Sequence, residues 1–221
     1  MSEFDTKVQW LKYQVVREVI KRTYSENMND AYIDIPKLIS PGPKANMRCC
    51  IYKERVILQE RIKLATGGNA DKPSVIEVID EACDECPIGG IFVTPACRGC
   101  ISHACKNHCP KNAIKIIDHK ATVDQSLCVE CEQCVKACPY GAIIHQHRPC
   151  VSGCKVKAIT VGEDKKATID YNKCIACGNC VYQCPFGAVS DKSMILQVVD
   201  MVRGSDNGRN YNMYAIVAPS L

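Results

Sequence analysis

Aromatic side chains make up only 6% of this 221-residue chain, with one Trp and three Phe. So few rings leave little material for an aromatic core, and bound metal is the obvious alternative organiser. No run approaches the roughly 18 consecutive apolar residues of a membrane-spanning helix. The first residues, MSEFDTKVQWLKYQ, lack a basic stretch followed by an apolar one, which predicts no secretory signal. No basic run marks a nucleic-acid surface, and the formal net charge is a modest +4. These absences predict a cytoplasmic chain with no membrane span, no nucleic-acid partner and thiols that are reduced or metal-bound.

Cysteine is what the chain has in excess: 18 of its residues. In a reducing compartment that density reads as metal ligation rather than as a disulfide scaffold. Two runs have the spacing C-x2-C-x2-C-x3-C-P of bacterial ferredoxins. One is Cys128, Cys131, Cys134, Cys138 and Pro139; the other is Cys174, Cys177, Cys180, Cys184 and Pro185. A variant with x4 in the middle gap is Cys97, Cys100, Cys105, Cys109 and Pro110. Three closely spaced thiolates wrap one cubane on a tight loop, while the fourth, before Pro, reaches a neighbouring cluster. Nearby small residues such as Gly178 and Gly187 let backbone N–H groups approach the sulfurs. A lone CxxC fits zinc, but three such runs with CP endings point to [4Fe–4S] clusters.

The spacing also yields ligand sets. Cys109 precedes Cys138 by 29 residues, and Cys154 precedes Cys184 by 30. Cys154 therefore reads as the fourth cysteine of a half-module and Cys150 as its third, with Cys83 and Cys86 supplying the missing pair. On this reading an inner ferredoxin, about 97–147, is inserted in an outer one, about 80–96 plus 148–190. Its sets are Cys97, Cys100, Cys105 with Cys138, and Cys128, Cys131, Cys134 with Cys109. The outer sets are Cys174, Cys177, Cys180 with Cys154, and Cys83, Cys86, Cys150 with Cys184. A rival pairing joins the motifs at 128 and 174, leaves the motif at 97 self-contained, and makes Cys83, Cys86, Cys150 and Cys154 a separate site. Both hold four clusters on 16 cysteines.

Elsewhere the pattern predicts an α+β chain in three parts. Residues 1–73 form a helical region, 74–192 the polyferredoxin region, and 193–221 a helix, a polar loop and a first strand of a further domain. Residues 6–24 place Trp10, Leu11, Val15, Val19 and Ile20 on one stripe. Pro41 and Pro43 break the next segment. Residues 48–66 read as a second helix with Ile51, Leu58, Ile62 and Ala65 on one face, beside Val56, Ile57 and Leu64, stopped by Gly67 and Gly68. A strand is expected over 74–79. Hairpins are expected over 113–124 and 158–170, each preceding a cysteine cluster, and together they form an internal repeat. A helix over 193–202 and a strand from Tyr214 close the pattern.

Several residues carry weaker signals. Cys49 and Cys50 lie in the second predicted helix without a CxxC partner, and read as one buried and one half-exposed thiol. His103 and His108 sit inside a complete motif and read as hydrogen-bonding or surface residues. Arg148, before Pro149 and Cys150, either donates N–H groups toward a cluster or is solvated. Lys111, Lys115 and Lys136 form either a docking patch for an acidic electron carrier or solvated surface.

The order of these segments carries a resemblance. RCCIYKER at 48–55, CDECP at 83–87, CRGC at 97–100, RPC at 148–150, CPFGAV at 184–189 and YAIVAPS at 214–220 resemble the amino-terminal part of monomeric group B [FeFe] hydrogenases. The resemblance covers essentially the whole chain. It implies a relay of accessory clusters feeding a catalytic H-cluster in a following domain. That domain's motifs, TSCCP, MPCxxK and ExMxCxxGC, do not occur here, so no catalytic residue is assigned. The chain is then a truncation, a fragment of a longer gene or a subunit beside a separate catalytic chain. The expected function is single-electron transfer to or from a hydrogenase catalytic domain, with a soluble carrier such as ferredoxin as the other partner. The alternatives are a ferredoxin-type subunit of another anaerobic oxidoreductase, such as a formate or carbon monoxide dehydrogenase, and a non-redox zinc-binding interaction protein.

Overall fold

The computed structural model of the chain describes residues 4–87 and 89–216. Its first half contains helices α1 (Lys7–Tyr24), α2 (Ala31–Ile39) and α3 (Ile51–Ala65), strands β1 (Ile76–Val78) and β2 (Gly90–Val93), and the short helix α4 (Ala104–Asn107). Strands β3 (Ile114–Ile117) and β4 (Lys120–Val123), helix α5 (Gln133–Ala137), strand β5 (Ile143–Gln146) and helix α6 (Pro149–Ser152) follow. Strands β6 (Ile159–Val161) and β7 (Ala167–Ile169), helix α7 (Asn179–Gln183), strand β8 (Val189–Asp191) and helix α8 (Ile195–Gly204) complete the order. The chain divides into two compact units: Met1–Glu85 with Gly153–Leu221, and Cys86–Ser152.

In the first unit, Thr6 and Gln9 form a reciprocal capping box that starts α1. Leu11, Val15 and Val19 of its apolar stripe are buried against Ala31 and Ile35 of α2 and Leu58, Ile62 and Ala65 of α3. Trp10 and Ile20 are only half-buried, and Val56 is exposed. The segment between the two expected helices is itself partly helical, although α2 carries Pro36 in its interior. An interior Pro normally argues against a helix, since it frees the carbonyl four residues back. Here that carbonyl, on Tyr32, accepts a hydrogen bond from Gln59 Nε2 at 3.1 Å, so α3 compensates the defect in α2.

Helix α3 begins at Ile51, later than expected, with Cys50 as its N-cap. Residues just before it are held instead by Glu54. Its Oε1 accepts backbone N–H groups from Asn46 at 2.5 Å, Arg48 at 3.0 Å and Met47, and its Oε2 accepts Ser40 Oγ at 2.5 Å. Burial alone would raise the Glu54 carboxyl pKa, but these four donors bring it below its ordinary value. Strand β1 pairs antiparallel with β8, and β6 with β7 as the expected second hairpin.

The second unit repeats this plan. β2 pairs antiparallel with β5, and β3 with β4. Asp118 and His119 turn the β3–β4 hairpin with φ of 47° and 57°, the left-handed pair that suits a two-residue turn. Ile91, Ile114 and Ile143 are buried with Cys105, Ala121 and Cys134, so cysteines occupy core positions where a larger protein would place Leu or Phe. Tyr214–Ile216 form no strand; the rest of the expected terminal strand lies outside the described residues.

Candidate metal centres

Four cysteines share one local structure. After each of Cys109, Cys138, Cys154 and Cys184, the third residue has positive φ: Asn112 51°, Gly141 58°, Lys157 52° and Gly187 60°. Each of these residues donates its N–H to the cysteine carbonyl, at 3.0–3.2 Å, closing a β-turn. The next residue is always Ala, and its N–H donates to the cysteine Sγ. These distances are 3.3 Å from Ala113 to Cys109, 3.4 Å from Ala142 to Cys138, and 3.2 Å for both Ala158 to Cys154 and Ala188 to Cys184. All four alanines are buried, which leaves no room for a larger side chain. Cys154 has no Pro after it, yet its turn is the same.

A second contact repeats across the units. Ala121 of β4 donates its N–H to Cys97 Sγ at 3.5 Å, and Ala167 of β7 donates to Cys83 Sγ at 3.3 Å. Cys83 thus stands to the second hairpin as Cys97 stands to the first. N–H groups of Ala121 and Gly99 hold the Cys97 thiol pKa below its ordinary value. The third cysteines, Cys105, Cys134, Cys150 and Cys180, are all buried. Burial pushes the pKa of Cys105, Cys134 and Cys180 up.

In the second unit, Cys97, Cys100, Cys105 and Cys138 line one small cavity with Gly99, Ala104 and Ala121. The charges of Cys138 and Cys100 act on Cys105, while those of Cys109 and Cys128 act on Cys134. In the first unit the charges of Cys174 and Cys177 act on Cys180, and Cys177 and Cys184 line a cavity beside α1. Cys131 and Cys177 are exposed on their loops; Cys86 is half-buried.

These sites suit iron–sulfur clusters in three ways. The donors are thiols on loops that double back. Backbone N–H groups already aim at sulfur, the interaction that lowers charge density on a cluster's thiolates. A buried cation also lies close by: Arg61 donates Nη2 to Gly187 O at 2.8 Å, while its buried Nε has no acceptor among the described residues. Burial pushes Arg61 down to about 10, aided by the Arg48 charge and opposed by Cys184. Nothing in the sequence around position 61 marks this residue, because it reads as one more polar face of a helix.

The weaker candidates resolve unevenly. Cys49 and Cys50 are both exposed, not one buried and one half-exposed. The late start of α3 explains the difference, since Cys50 caps the helix with its Sγ on Lys53 N–H at 3.5 Å. Arg148 is buried rather than solvated, donating Nε to Pro87 O at 3.2 Å and Nη2 to Cys86 O at 3.4 Å. His103 precedes α4 at φ 44°, and exposed His108 contacts Ala104 O through Nδ1 at 2.8 Å. Lys111, Lys115 and Lys136 are exposed.

Comparison with known proteins gives the class. Residues 121–144 and 167–190 match the 4Fe-4S binding domain family (Fer4), and each match contains one complete C-x2-C-x2-C-x3-C-P run. These two stretches are ferredoxin-like segments of the kind that binds [4Fe–4S] clusters. The chain is 34% identical over 59 residues to an uncharacterised ferredoxin of Methanocaldococcus jannaschii, covering 27% of this chain and 36% of that one. It is 39% identical over 66 residues to the electron transport protein HydN of Escherichia coli, covering 29% and 38%. It is 45% identical over 47 residues to formate hydrogenlyase subunit 2 of Escherichia coli, covering 21% and 23%. The matches thus span about half or less of each relative's length. No helix among the described residues is long and apolar enough to cross a membrane.

Proposed function

We propose that the chain relays single electrons through four [4Fe–4S] clusters, in two nested ferredoxin-like units, to or from an [FeFe] hydrogenase catalytic domain. Bound on these thiolates, each cluster takes up or gives back one electron without a change of ligand. The protein's own part is to hold the sulfurs, aim N–H groups at them and exclude water. The observation that carries this reading is the repeated pair of contacts: the four Cys–Ala turns and the two hairpin N–H groups on Cys83 and Cys97. They give Cys83, Cys154 and Cys184 the same N–H contacts to sulfur as Cys97, Cys109 and Cys138. That equivalence favours nested units over the rival pairing, as does the cavity shared by Cys97, Cys100, Cys105 and Cys138. The hydrogenase link rests on the sequence resemblance and on the likeness to formate hydrogenlyase subunit 2. A second reading, a carrier subunit of a formate-linked oxidoreductase, draws on the match to formate hydrogenlyase subunit 2.

Anaerobic reconstitution is the test. Four clusters require about 16 iron and about 16 sulfide per chain, with reducible thiolate-to-iron absorption. About eight iron removes both four-cluster pairings, and a colourless zinc-loaded protein removes the electron-transfer reading. Bleaching of the reconstituted chain under dihydrogen with an [FeFe] hydrogenase catalytic domain, and not with formate and a formate dehydrogenase, supports the first partner. The opposite pattern supports the second.

A further inference from the structure

The second unit holds a group of nitrogen and oxygen donors that the cysteine motifs do not use. His145 lies in β5, and His147 follows it two residues on, which puts both imidazoles on one face of the extended chain. Their ring centroids are 3.6 Å apart. The loop between Cys128 and Cys134 turns toward this face. Glu130 and Glu132 both adopt positive φ, 54° and 60°, as Ala176 and Gly178 do in the corresponding loop at 53° and 75°, so the turn belongs to the cysteine loop, and it carries both carboxylates beside the strand. His145 Nδ1 is 2.6 Å from Glu132 Oε1, and its Nε2 is 2.9 Å from Glu130 Oε2. His147 Nε2 is 3.9 Å from the same Glu132 Oε1. Ligating atoms of Glu132, His145 and His147 all lie within 4.8 Å of one another.

The geometry points to a binding site for a divalent first-row metal, zinc by donor type, with Glu132, His145 Nδ1 and His147 Nε2 as ligands. Two imidazoles and one carboxylate around an open position are a familiar zinc donor set, with metal–ligand distances of about 2.0–2.2 Å. Glu130 supplies what a metal-bound imidazole needs on its far side. By accepting Nε2–H it leaves the Nδ1 lone pair of His145 free to face Glu132, the carboxylate–histidine arrangement that orients ligands around zinc. The site uses none of the cysteines, so it stands apart from the cluster reading.

The test compares the full-length, anaerobically reconstituted chain with its His145→Ala/His147→Ala and His147→Ala variants after equilibration with zinc sulfate. The expected result is about one zinc per chain more in the wild type than in the double variant. Its zinc K-edge spectrum should show nitrogen and oxygen neighbours rather than sulfur at about 2.3 Å. His147→Ala removes a half-exposed ring and should lower zinc affinity while leaving iron content unchanged. Glu130→Gln keeps all three ligands and should weaken zinc binding by about 10- to 100-fold. Equal zinc in the wild type and both His variants, or an all-sulfur shell, overturns the proposal and leaves the group an ion-paired strap. A zinc difference between wild type and double variant at equal iron content separates this site from the cysteine clusters.

Discussion

At the scale of the residue, the sites depend on small side chains and on N–H groups that point at sulfur. Gly99 has φ +57°, and a Cβ there would sit 1.8 Å from the carbonyl oxygen of His119. Gly99→Ala must therefore displace the β3–β4 turn, and with it the N–H of Ala121 on Cys97. The expected outcome is loss of one cluster, about four iron per chain, read by iron analysis. Cys134→Ala should cost the same, whereas Cys49→Ser and Cys50→Ser should leave iron unchanged, because both thiols are exposed outside the motifs. Glu54 makes a different kind of prediction. Its folded pKa lies below the unfolded value, so its contribution to stability is present above the unfolded pKa and disappears as pH falls through the folded one. Glu54→Gln should lower the unfolding free energy by about 1–3 kcal/mol at pH 7. It should also flatten the loss of stability as pH falls below about 4.5, measured by urea unfolding.

At the scale of the element, the helices and the cluster loops are stabilised by different forces. Helices α1, α2 and α3 meet through an aliphatic cluster in which Val19, Ile35 and Ile62 have no exposed surface. Ile62→Ala should cost about 2–5 kcal/mol through lost burial and a residual cavity, seen as a lower urea midpoint of the helical signal. The short helices α4, α5 and α7 have four or five residues each, too few to persist alone. Their cysteines are their only buried side chains. Removing iron with a chelator should therefore unfold the hairpin regions while most of the α1–α3 signal persists, as circular dichroism would show. Helix α2 explains why local reading stopped short: Pro36 argues against a helix, and only Gln59, 23 positions on, makes it tolerable.

At the scale of the whole molecule, charge depends on the cofactor. The apoprotein is formally +4, but an oxidised [4Fe–4S] core on four thiolates adds about −2. Four clusters should therefore shift the chain to about −4, so that apoprotein and holoprotein separate on ion exchange at neutral pH. A holoprotein that still binds a cation exchanger at pH 7 would mean fewer clusters. The surface that meets a partner is then that of an acidic protein, whatever its lysines do singly.

The sequence alone determined the chemistry of the main sites, because ligation by CxxC loops is local: spacing within about a dozen residues decides which sulfurs wrap a cubane. It also determined the hairpins, whose period and turn residues are local too. Tertiary structure decided what depends on distant partners. It brought Cys138 to the cavity of Cys97, Cys100 and Cys105, buried Arg61 and Arg148, exposed Cys49 and Cys50, and set Glu130 and Glu132 against His145. The spacing anticipates the Cys138 pairing, but the buried arginines, the exposed Cys49 and Cys50 and the Glu–His group have no periodic or spacing signal, since each depends on how the folded chain packs and excludes water. The pattern of cysteines is written along the chain; the charges and N–H groups around them exist only once it folds.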